Sequence, residues 1–538
     1  MVEQGSASRR YGCPNCGGGL RYDIASRGMI CDQCGSLTNL ASLPEEQVED
    51  TFSVTEFHCP QCGAAVYSTD TEVTSFCSFC GSDVVLTGKL GRAKRPARIV
   101  PFTVTREKCE EAYRGHLKKY LLVPGDLKKA ETISHFRPVY VPFWSYSVAA
   151  DGPACLEGKK SYTQGNYRYD ETYDLSMDAS IRQQGILYDA STAFEDETAA
   201  MLQHTSQDAV PFHPAYLSGF YAQGADVPGE TYHGEAAASA ARLFMNQVKE
   251  ESGMDSVEIK GEIADNFGLP NARFEEELVM MPVWLLAHRQ GQRVVYTAVN
   301  GQNGQVVCDI PVSSGKVAGV TLALAAGLFF LLQSFLTLKP DLLMAFCALI
   351  SLATQYQFSH ALKLLFLRKT RAGEPDFSSE RPSFVGPAQA LLRGRNGRIS
   401  AGKKGGEARS WVVPILILVA FLAYQFLPEM LSSGFTSAQR KNAALLVLLA
   451  VLVVMVIHTF RHFRKRDAGP LWPRLLSCLA CAAAFISLGS GQVEDMIYYI
   501  CAAAMLLSSM VELVWVNRSH NEYASRPVPF FGEKEDAR

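Results

Sequence analysis

The sequence predicts a multi-domain protein in which a cysteine-rich N-terminal part and a soluble α+β domain precede an all-α membrane region. Four Cys-x-x-Cys pairs lie within the first 80 residues. Between residues 98 and 312, short aromatic and β-branched runs are separated by turn residues, and one Ala-rich stretch has helical periodicity. From Val317 onward, long apolar runs recur, as in membrane-spanning helices.

The cysteine pairs form a tandem repeat of 46 residues. In each half, 14 residues separate the two inner cysteines, and glycine follows the second and the fourth cysteine. Zn²⁺ takes four thiolates at tetrahedral corners, and one tight turn with a positive-φ glycine presents two sulfurs. The repeat therefore predicts two tandem zinc ribbons, over 11–38 and 57–86, with two structural Zn²⁺ and no ligand position open to water. The predicted ligands are Cys13, Cys16, Cys31, Cys34, Cys59, Cys62, Cys77 and Cys80.

A disulfide cluster is the alternative interpretation of the same cysteines. Residues 1–12 are polar and do not resemble a secretory signal peptide. A reducing compartment is then expected, and it favours metal over disulfides. So small a segment buries too little apolar surface to fold alone, and a metal would supply about 10–16 kcal/mol per site.

The charge of the N-terminal part argues against nucleic acid as its main partner. Residues 1–90 carry 11 acidic and 5 basic side chains, a net charge of −6. Two Zn²⁺ with eight thiolates would add −4, which gives about −10. A nucleic-acid module should be basic instead, because phosphate contacts dominate its affinity.

Residues 98–312 are predicted to form one soluble α+β domain. Asn300-Gly301 and Asn303-Gly304 predict a hairpin between the last two strands. The chain has no phosphate-binding loop of the Gly-x-x-x-x-Gly-Lys-Ser/Thr type, no His-Glu-x-x-His and no Gly-x-Ser-x-Gly. We therefore expect no catalytic residue and no enzyme. The predicted strands are 99–104, 139–149, 167–177, 277–288, 293–299 and 305–310, and the predicted helices are 105–122 and 235–250.

The C-terminal third is predicted to form about six transmembrane helices in three hairpins. At 1.5 Å per residue, each apolar run is long enough to cross, or nearly cross, a hydrocarbon core of about 30 Å. The hairpins are 317–364, with spans 317–338 and 342–364; 411–459, with spans 411–427 and 443–459; and 471–516, with spans 471–488 and 496–516.

Basic residues predict the orientation of these spans. The loop 365–410 has ten basic and four acidic side chains, and residues 461–466 read Arg-His-Phe-Arg-Lys-Arg. Basic loops stay in the cytoplasm, and the first of these loops would also lie on anionic lipid headgroups. We therefore expect a multi-pass plasma-membrane protein with both termini, including a tail at 517–538, in the cytoplasm.

Few residues inside the predicted spans carry chemistry. Glu512 lies near the cytoplasmic end of the last span, and an intramembrane carboxylate suggests a function. One carboxylate so close to the interface does not define a transport path. Cys478 and Cys481 share one helix face, where helix packing is the simpler interpretation.

Several short motifs, taken together with the cysteine pairs, resemble a known family. The chain resembles the bacterial membrane-anchored TFIIB-type zinc ribbon-containing proteins over about residues 13–312 and the first hairpin, to about residue 364. Members are sometimes labelled as a primosomal helicase, but this chain lacks the phosphate-binding loop of such a motor. The motifs are Val100-Pro101-Phe102, Tyr140-Val141-Pro142-Phe143-Trp144, Pro211-Phe212-His213-Pro214-Ala215-Tyr216-Leu217-Ser218-Gly219, Met281-Pro282-Val283-Trp284, Asn300-Gly301-Gln302-Asn303-Gly304 and Ile310-Pro311-Val312.

The resemblance implies a membrane adaptor. Similar proteins are encoded beside SPFH (band 7) proteins and TPM-domain membrane proteins, in phage-shock-like membrane-stress loci. The leading hypothesis is thus a non-enzymatic scaffold that recruits membrane-associated proteins. Two alternatives stay open: a membrane-tethered nucleic-acid-binding zinc-ribbon protein, and a transporter or lipid-handling membrane protein. The sequence leaves the oligomeric state open, and an oligomer would fit the adaptor hypothesis.

Overall fold

The structure is a computed structural model of the chain. It describes residues 11–43, 50–68, 76–83, 87–165, 167–194, 196–261, 266–333, 343–358, 437–463, 472–491 and 495–529.

The first cysteine-rich unit is a three-stranded antiparallel sheet of β1 (Leu20–Asp23), β2 (Gly28–Cys31) and β3 (Leu37–Thr38). Leu20 and Tyr22 alternate with exposed or half-exposed neighbours and are each 2% exposed, so one face of β1 is buried. That face rests on the motif around Ser218. Ser218 Oγ donates to Leu20 O at 2.7 Å, and Tyr22 N donates to Ser218 O at 3.1 Å. The unit is therefore part of the core of the α+β domain.

A second sheet of 13 strands contains most of the remaining domain. Its main path runs β10-β7-β13-β8-β11-β5-β4-β6; β9 and β12 pair with β8, and β14 pairs with β13, β15 and β16. The strands are β4 (Thr51–His58), β5 (Ala65–Ser68), β6 (Thr87–Lys94), β7 (Arg98–Ile99), β8 (Arg137–Gln164), β9 (Tyr167–Asp189), β10 (Val210–Pro211), β11 (Tyr221–Ala222), β12 (Ser256–Ile259), β13 (Arg273–Gln290), β14 (Arg293–Asn300), β15 (Val306–Cys308) and β16 (Arg526–Pro527).

The second cysteine-rich unit shares this sheet. Its strands β4, β5 and β6 pair with one another, and Ala222 of β11 pairs with Tyr67 of β5. The strands reach from Thr51 to Lys94, beyond the predicted ribbon at 57–86. The unit is thus continuous with the α+β domain through backbone hydrogen bonds.

Strand lengths differ most from the prediction in the hairpin of β8 and β9. The predicted strand 139–149 continues to Gln164, which pairs with Tyr167, and the predicted strand 167–177 continues to Asp189. Buried residues such as Ala154 and Leu156 still alternate along β8 as far as Gly158. Beyond that point the hairpin is mostly exposed, so its outer end is defined by pairing rather than by burial. The predicted strand at 99–104 is shorter, since only Arg98–Ile99 pairs as β7. The predicted hairpin at Asn300 is confirmed by the pairing of β14 with β15.

Four α-helices belong to the described part of the domain: α1 (Arg106–Lys118), α2 (Ala130–Ile133), α3 (Asp196–Met201) and α4 (His233–Ser252). Helix α1 buries Cys109, Tyr113 and Leu117, at the spacing of one helical face. Helix α4 buries its alanines against the β8–β9 hairpin. The indole nitrogens of Trp144 and Trp284 donate to Val227 O at 2.8 Å and Val104 O at 2.9 Å, which satisfies both buried rings.

The C-terminal region is helical: α5 (Ser314–Gln333), α6 (Leu343–Phe358), α7 (Ser437–Phe463), α8 (Trp472–Gly489) and α9 (Asp495–Tyr523). In the described part, three helices are long and apolar enough to cross a membrane: the Lys441–Phe460 part of α7, α8 and α9. Large apolar side chains such as Leu446 and Leu507 point outward, as lipid-facing residues do.

The prediction of six spans is not supported. Helix α5 overlaps the first predicted span, and the described part of the second predicted span is α6. The third predicted span, 411–427, and the basic loop 365–410 lie outside the described residues. Apolar composition alone therefore does not establish how many helices cross.

The predicted tail at 517–538 is partly structured. Helix α9 continues to Tyr523, and Arg526–Pro527 then adds a strand to the edge of the sheet beside Arg293 and Val294. The Asn521 side chain donates to Val312 O at 2.8 Å and accepts from Val312 N at 2.7 Å. Residues 530–538 lie outside the described residues. The last helix is thus fastened to the sheet domain.

Arg293 caps the end of this helix. Its Nε donates to Ser525 Oγ at 2.7 Å, and its Nη2 donates to the carbonyl oxygens of Glu522 and Ser525. A guanidinium at a helix C-terminus satisfies open carbonyls and complements the helix dipole.

We expect Arg293→Met to loosen the C-terminal strand, because the cap and its hydrogen bonds are lost. Hydrogen exchange on the full chain in detergent should show the amides of Arg526 and Val528 exchanging about tenfold faster. Arg289→Met, on a half-buried arginine of the adjacent strand β13 whose Nε donates to Gly291 O, is the matched control. Unchanged exchange in Arg293→Met would show that the cap does not hold the tail.

Candidate metal centres

The first four predicted ligands converge in space. The Sγ atoms of Cys13, Cys16, Cys31 and Cys34 all lie within 4.8 Å of one another. The shortest separations are 3.7 Å between Cys13 and Cys34 and 3.4 Å between Cys16 and Cys31.

The second set repeats this arrangement. The sulfurs of Cys59, Cys62, Cys77 and Cys80 also lie within 4.8 Å of one another. Cys59 and Cys80 are separated by 3.8 Å, and so are Cys62 and Cys77. All 15 cysteines of the chain are unpaired thiols, so the disulfide alternative is not supported.

The same turn holds each pair of ligands. Gly17 N donates to Cys13 O at 2.8 Å, and Gly81 N donates to Cys77 O at 3.0 Å. The four glycines that follow the cysteines have φ between +66° and +74°. The predicted need for glycine at these positions is confirmed, because an L side chain would be strained there.

The sulfur positions fit a tetrahedral metal. Four Zn–S bonds of about 2.3 Å place the sulfurs about 3.8 Å apart along the edges of the tetrahedron. The separations of 3.4–3.8 Å match this geometry. Four thiolates also suit zinc chemically, and they leave no ligand position for water. Both clusters could therefore hold a structural Zn²⁺.

Two serines support the thiolates, and the sequence reasoning missed them. Ser36 Oγ lies 3.1 Å from Cys13 Sγ and 3.0 Å from Cys34 Sγ. Ser82, at the equivalent place in the repeat, lies 2.8 Å from Cys80 Sγ. The signal was present, because Cys-Gly-Ser occurs at 34–36 and again at 80–82.

The Ser36 hydrogen bond favours the charged form of its ligands. It lowers the pKa of the Cys13 thiol to about 6, and it also lowers the pKa of the Cys34 thiol. Thiolate is the form that binds metal, so these sulfurs are ready to bind at neutral pH.

The two clusters differ in their exposure. Cys16 and Cys34 of the first cluster are exposed, whereas all four cysteines of the second are buried. At Gly81 an added Cβ would lie 2.7 Å from Ala287 O, so glycine lets this turn press against β13. The hydroxyl of Tyr296 on β14 also donates to Phe79 O. The second cluster is thus built into the large sheet, and the first lies at its surface.

A polar cluster lies inside the helical region. Glu512 is fully buried and accepts a hydrogen bond from Ser477 Oγ at 2.8 Å. Arg474 is also fully buried, its guanidinium stands 5.1 Å from the Phe358 ring, and its three side-chain nitrogens have no hydrogen-bond partner in the described structure. Sequence reasoning singled out Glu512 but missed Arg474, because the convergence depends on how α8 and α9 pack.

The predicted intramembrane cysteines have packing contacts. Cys481 Sγ lies 3.8 Å from Leu448 O, and Cys478 Sγ lies 3.8 Å from Thr459 Oγ1. Both contacts join α8 to α7. Neither cysteine belongs to a metal-ligating group among the described residues.

Among known proteins, the chain is similar to the uncharacterized protein YdjG of Bacillus subtilis (strain 168). The two are 28% identical over 332 residues, which cover 60% of this chain and 96% of that protein. No family model matches the chain. No solved structure matches it.

We expect each cluster to bind one zinc ion, so that the purified full chain contains two per molecule. Cys77→Ser should remove one zinc and destabilise the sheet domain, because its cluster is buried in that sheet. Cys16→Ser should also remove one zinc, with a smaller effect on the melting temperature. Elemental analysis and thermal unfolding measure both quantities.

Cys155→Ser, which changes an exposed cysteine outside the clusters, is the control and should retain two zinc ions. A full chain without zinc, or a Cys77→Ser variant that still holds two, would contradict this assignment.

Proposed function

We propose that the protein is a non-enzymatic, zinc-binding membrane adaptor. One observation carries the proposal: a sheet domain stabilised by two Cys₄ clusters is tied to apolar helices and extends a long hairpin away from its core. Zinc at both clusters would keep the N-terminal part folded on the domain. The helices would hold the domain at a bacterial plasma membrane, as multi-pass spans with both termini in the cytoplasm.

The sheet domain is joined to both the first and the last helix of the C-terminal region, which supports a rigid scaffold. Val312 N and O bond to the Asn521 side chain at 2.7 and 2.8 Å, so the start of α5 and the end of α9 lie together. Asn517 Nδ2 donates to Ser314 Oγ at 2.9 Å in the same place. Because the domain is held both where the chain enters α5 and where it leaves α9, its motion relative to the helices is restricted. This restriction suits the presentation of a fixed surface.

The outer end of the β8–β9 hairpin is the surface we assign to a partner. Strand β12 covers the hairpin only as far as Lys159, and five residue pairs extend beyond it, about 16 Å of strand. Tyr162 and Tyr169 face each other there with ring centroids 5.4 Å apart. Tyr167 is 72% exposed at the tip. Exposed tyrosines are typical of protein-binding surfaces, because they offer large contact area at low entropic cost.

The resemblance described above suggests the partner class. It favours membrane-associated proteins such as SPFH (band 7) and TPM-domain proteins, with membrane-stress maintenance as the setting. The hairpin end, from Lys160 to Asp174, has three acidic and two basic side chains. Such a balance suits recognition by aromatic contacts rather than by charge. Nucleic acid is disfavoured by the acidic N-terminal part.

We expect the double change Tyr167→Ser with Tyr169→Ser to weaken partner capture from detergent-solubilised membranes by about tenfold, as loss of central aromatic contacts does. Tyr120→Ser, at another exposed tyrosine, is the matched control and should capture as much partner as the unchanged chain. Quantitative mass spectrometry of the captured proteins measures the difference. Equal capture by the hairpin variant would contradict the assigned surface.

The buried polar cluster favours a second candidate, a transport or lipid-handling function. Charged groups inside an apolar bundle are costly and usually mark a functional site. Arg474 and Glu512 are such groups.

Proteoliposomes that contain a pH-sensitive dye test this second candidate. Under an imposed potassium diffusion potential, the adaptor proposal predicts no proton flux above that of protein-free vesicles. Asp495→Asn, which neutralises a carboxylate at the opposite end of α9, is the control. Proton flux that is abolished by Glu512→Gln but kept in this control would favour transport over the adaptor.

A further inference from the structure

A cavity separates the strands of the second cysteine-rich unit from the central sheet. Its volume is about 120 Å³. Phe52 and Tyr67 line it from β4 and β5, and Leu278 and Met280 line it from β13. A Cβ at Gly224 would lie only 2.7 Å from the Tyr67 ring, so a residue larger than glycine would clash with this ring at the cavity wall. The cavity lies away from both cysteine clusters and from the helices.

A buried amide at the cavity wall has no partner. Gln223 lines the cavity and is 1% exposed. Neither its Nε2 nor its Oε1 has a hydrogen-bond partner in the described structure. Its backbone nitrogen donates to Tyr140 O at 2.9 Å, which fixes the residue in place. A buried amide without partners costs free energy, so this position calls for a group that both donates and accepts.

Two cationic side chains stand at the same cavity. Arg92 and Lys94 alternate along β6 and therefore lie on one face of the strand. Lys94 Nζ lies 4.8 Å from the Trp144 ring centroid. No carboxylate lines the cavity among the described residues.

Two acidic residues that lie close to Tyr67 have contacts of their own. Both Glu56 and Asp226 raise the pKa of Tyr67, although burial is the larger cause. Asp226 accepts hydrogen bonds from the Thr192 backbone and hydroxyl, and Glu56 lies 3.2 Å from His58 Nε2. The charged side chains that line the cavity in the described structure are thus the two cations of β6.

The size of the cavity limits its ligand. One water needs about 10–15 Å³ of such volume, so 120 Å³ holds a molecule of about eight to twelve non-hydrogen atoms. A carboxylate would meet Lys94, and an amide edge with one donor and one acceptor would pair with Gln223. We propose that this cavity binds a small carboxylate that also carries an amide.

Pyroglutamate is the probe for this site, because it combines a carboxylate with a lactam N–H and C=O on one edge. Isothermal titration on the full chain in detergent should detect pyroglutamate at millimolar concentration or below. Propionate, which lacks the amide, and acetamide, which lacks the charge, should each bind at least tenfold more weakly. Equal binding of inorganic phosphate would overturn the proposal by showing a site for any anion.

Two variants test the amide contact and the carboxylate contact separately. Gln223→Leu should remove the preference for pyroglutamate over propionate, and Lys94→Gln should weaken both carboxylates by about tenfold. Lys89→Gln, on β6 at an opposite-face position, is the matched control and should bind as the unchanged chain does. If Gln223→Leu does not fold, the comparison of pyroglutamate, propionate and acetamide on the unchanged chain still tests the proposal. Either of two results would overturn the proposal. One is the absence of pyroglutamate binding at about 10 mM. The other is unaltered binding in Lys94→Gln.

Discussion

Two groups of four cysteine sulfurs, each closed around a volume that fits a zinc ion, are the constraint on which the domain depends. The turns that carry these sulfurs bury few apolar groups of their own, so they have little else to stabilise them. Without a metal, four thiols would be packed close together with no ion to bind them. The second group is the more consequential, because its strands β4, β5 and β6 belong to the large sheet. Metal at Cys59 to Cys80 would thus stabilise the sheet, whereas metal at Cys13 to Cys34 would stabilise a unit packed against Ser218.

The sheet in turn organises everything around it. The cavity at Gln223 exists because β11 joins β5 to β8 and leaves β6 facing β13 across a gap. The hairpin of β8 and β9 projects from the same strands, and α4 and β12 support its base. At the opposite edge, β14 accepts Arg526 and Pro527 after the last helix. The second cysteine cluster and the end of the last helix therefore adjoin one continuous hydrogen-bonded sheet.

What could be predicted from the sequence was local. The metal ligands follow from turn geometry within four residues, and the buried face of α1 follows from the spacing of Cys109, Tyr113 and Leu117. The strand at 167–177 follows from its aromatic residues, but the outer part of its partner strand could not be predicted, since those exposed residues are ordered by pairing. Arg474 was missed because its burial depends on contacts between helices, and the strand at Arg526 because two residues carry no periodicity. Three of the predicted spans, at 443–459, 471–488 and 496–516, coincide with helices long and apolar enough to cross a membrane, whereas apolar composition alone does not fix the total number.

Hydrogen exchange before and after zinc is stripped from the full chain in detergent tests the account most directly. We predict that amides of β1 and β2 lose protection together with those of β4, β5 and β11, while those of α8 and α9 keep theirs. Protection that is unchanged in β4 and β5 after the metal is removed would contradict the account, because the sheet would then not depend on the cysteine clusters.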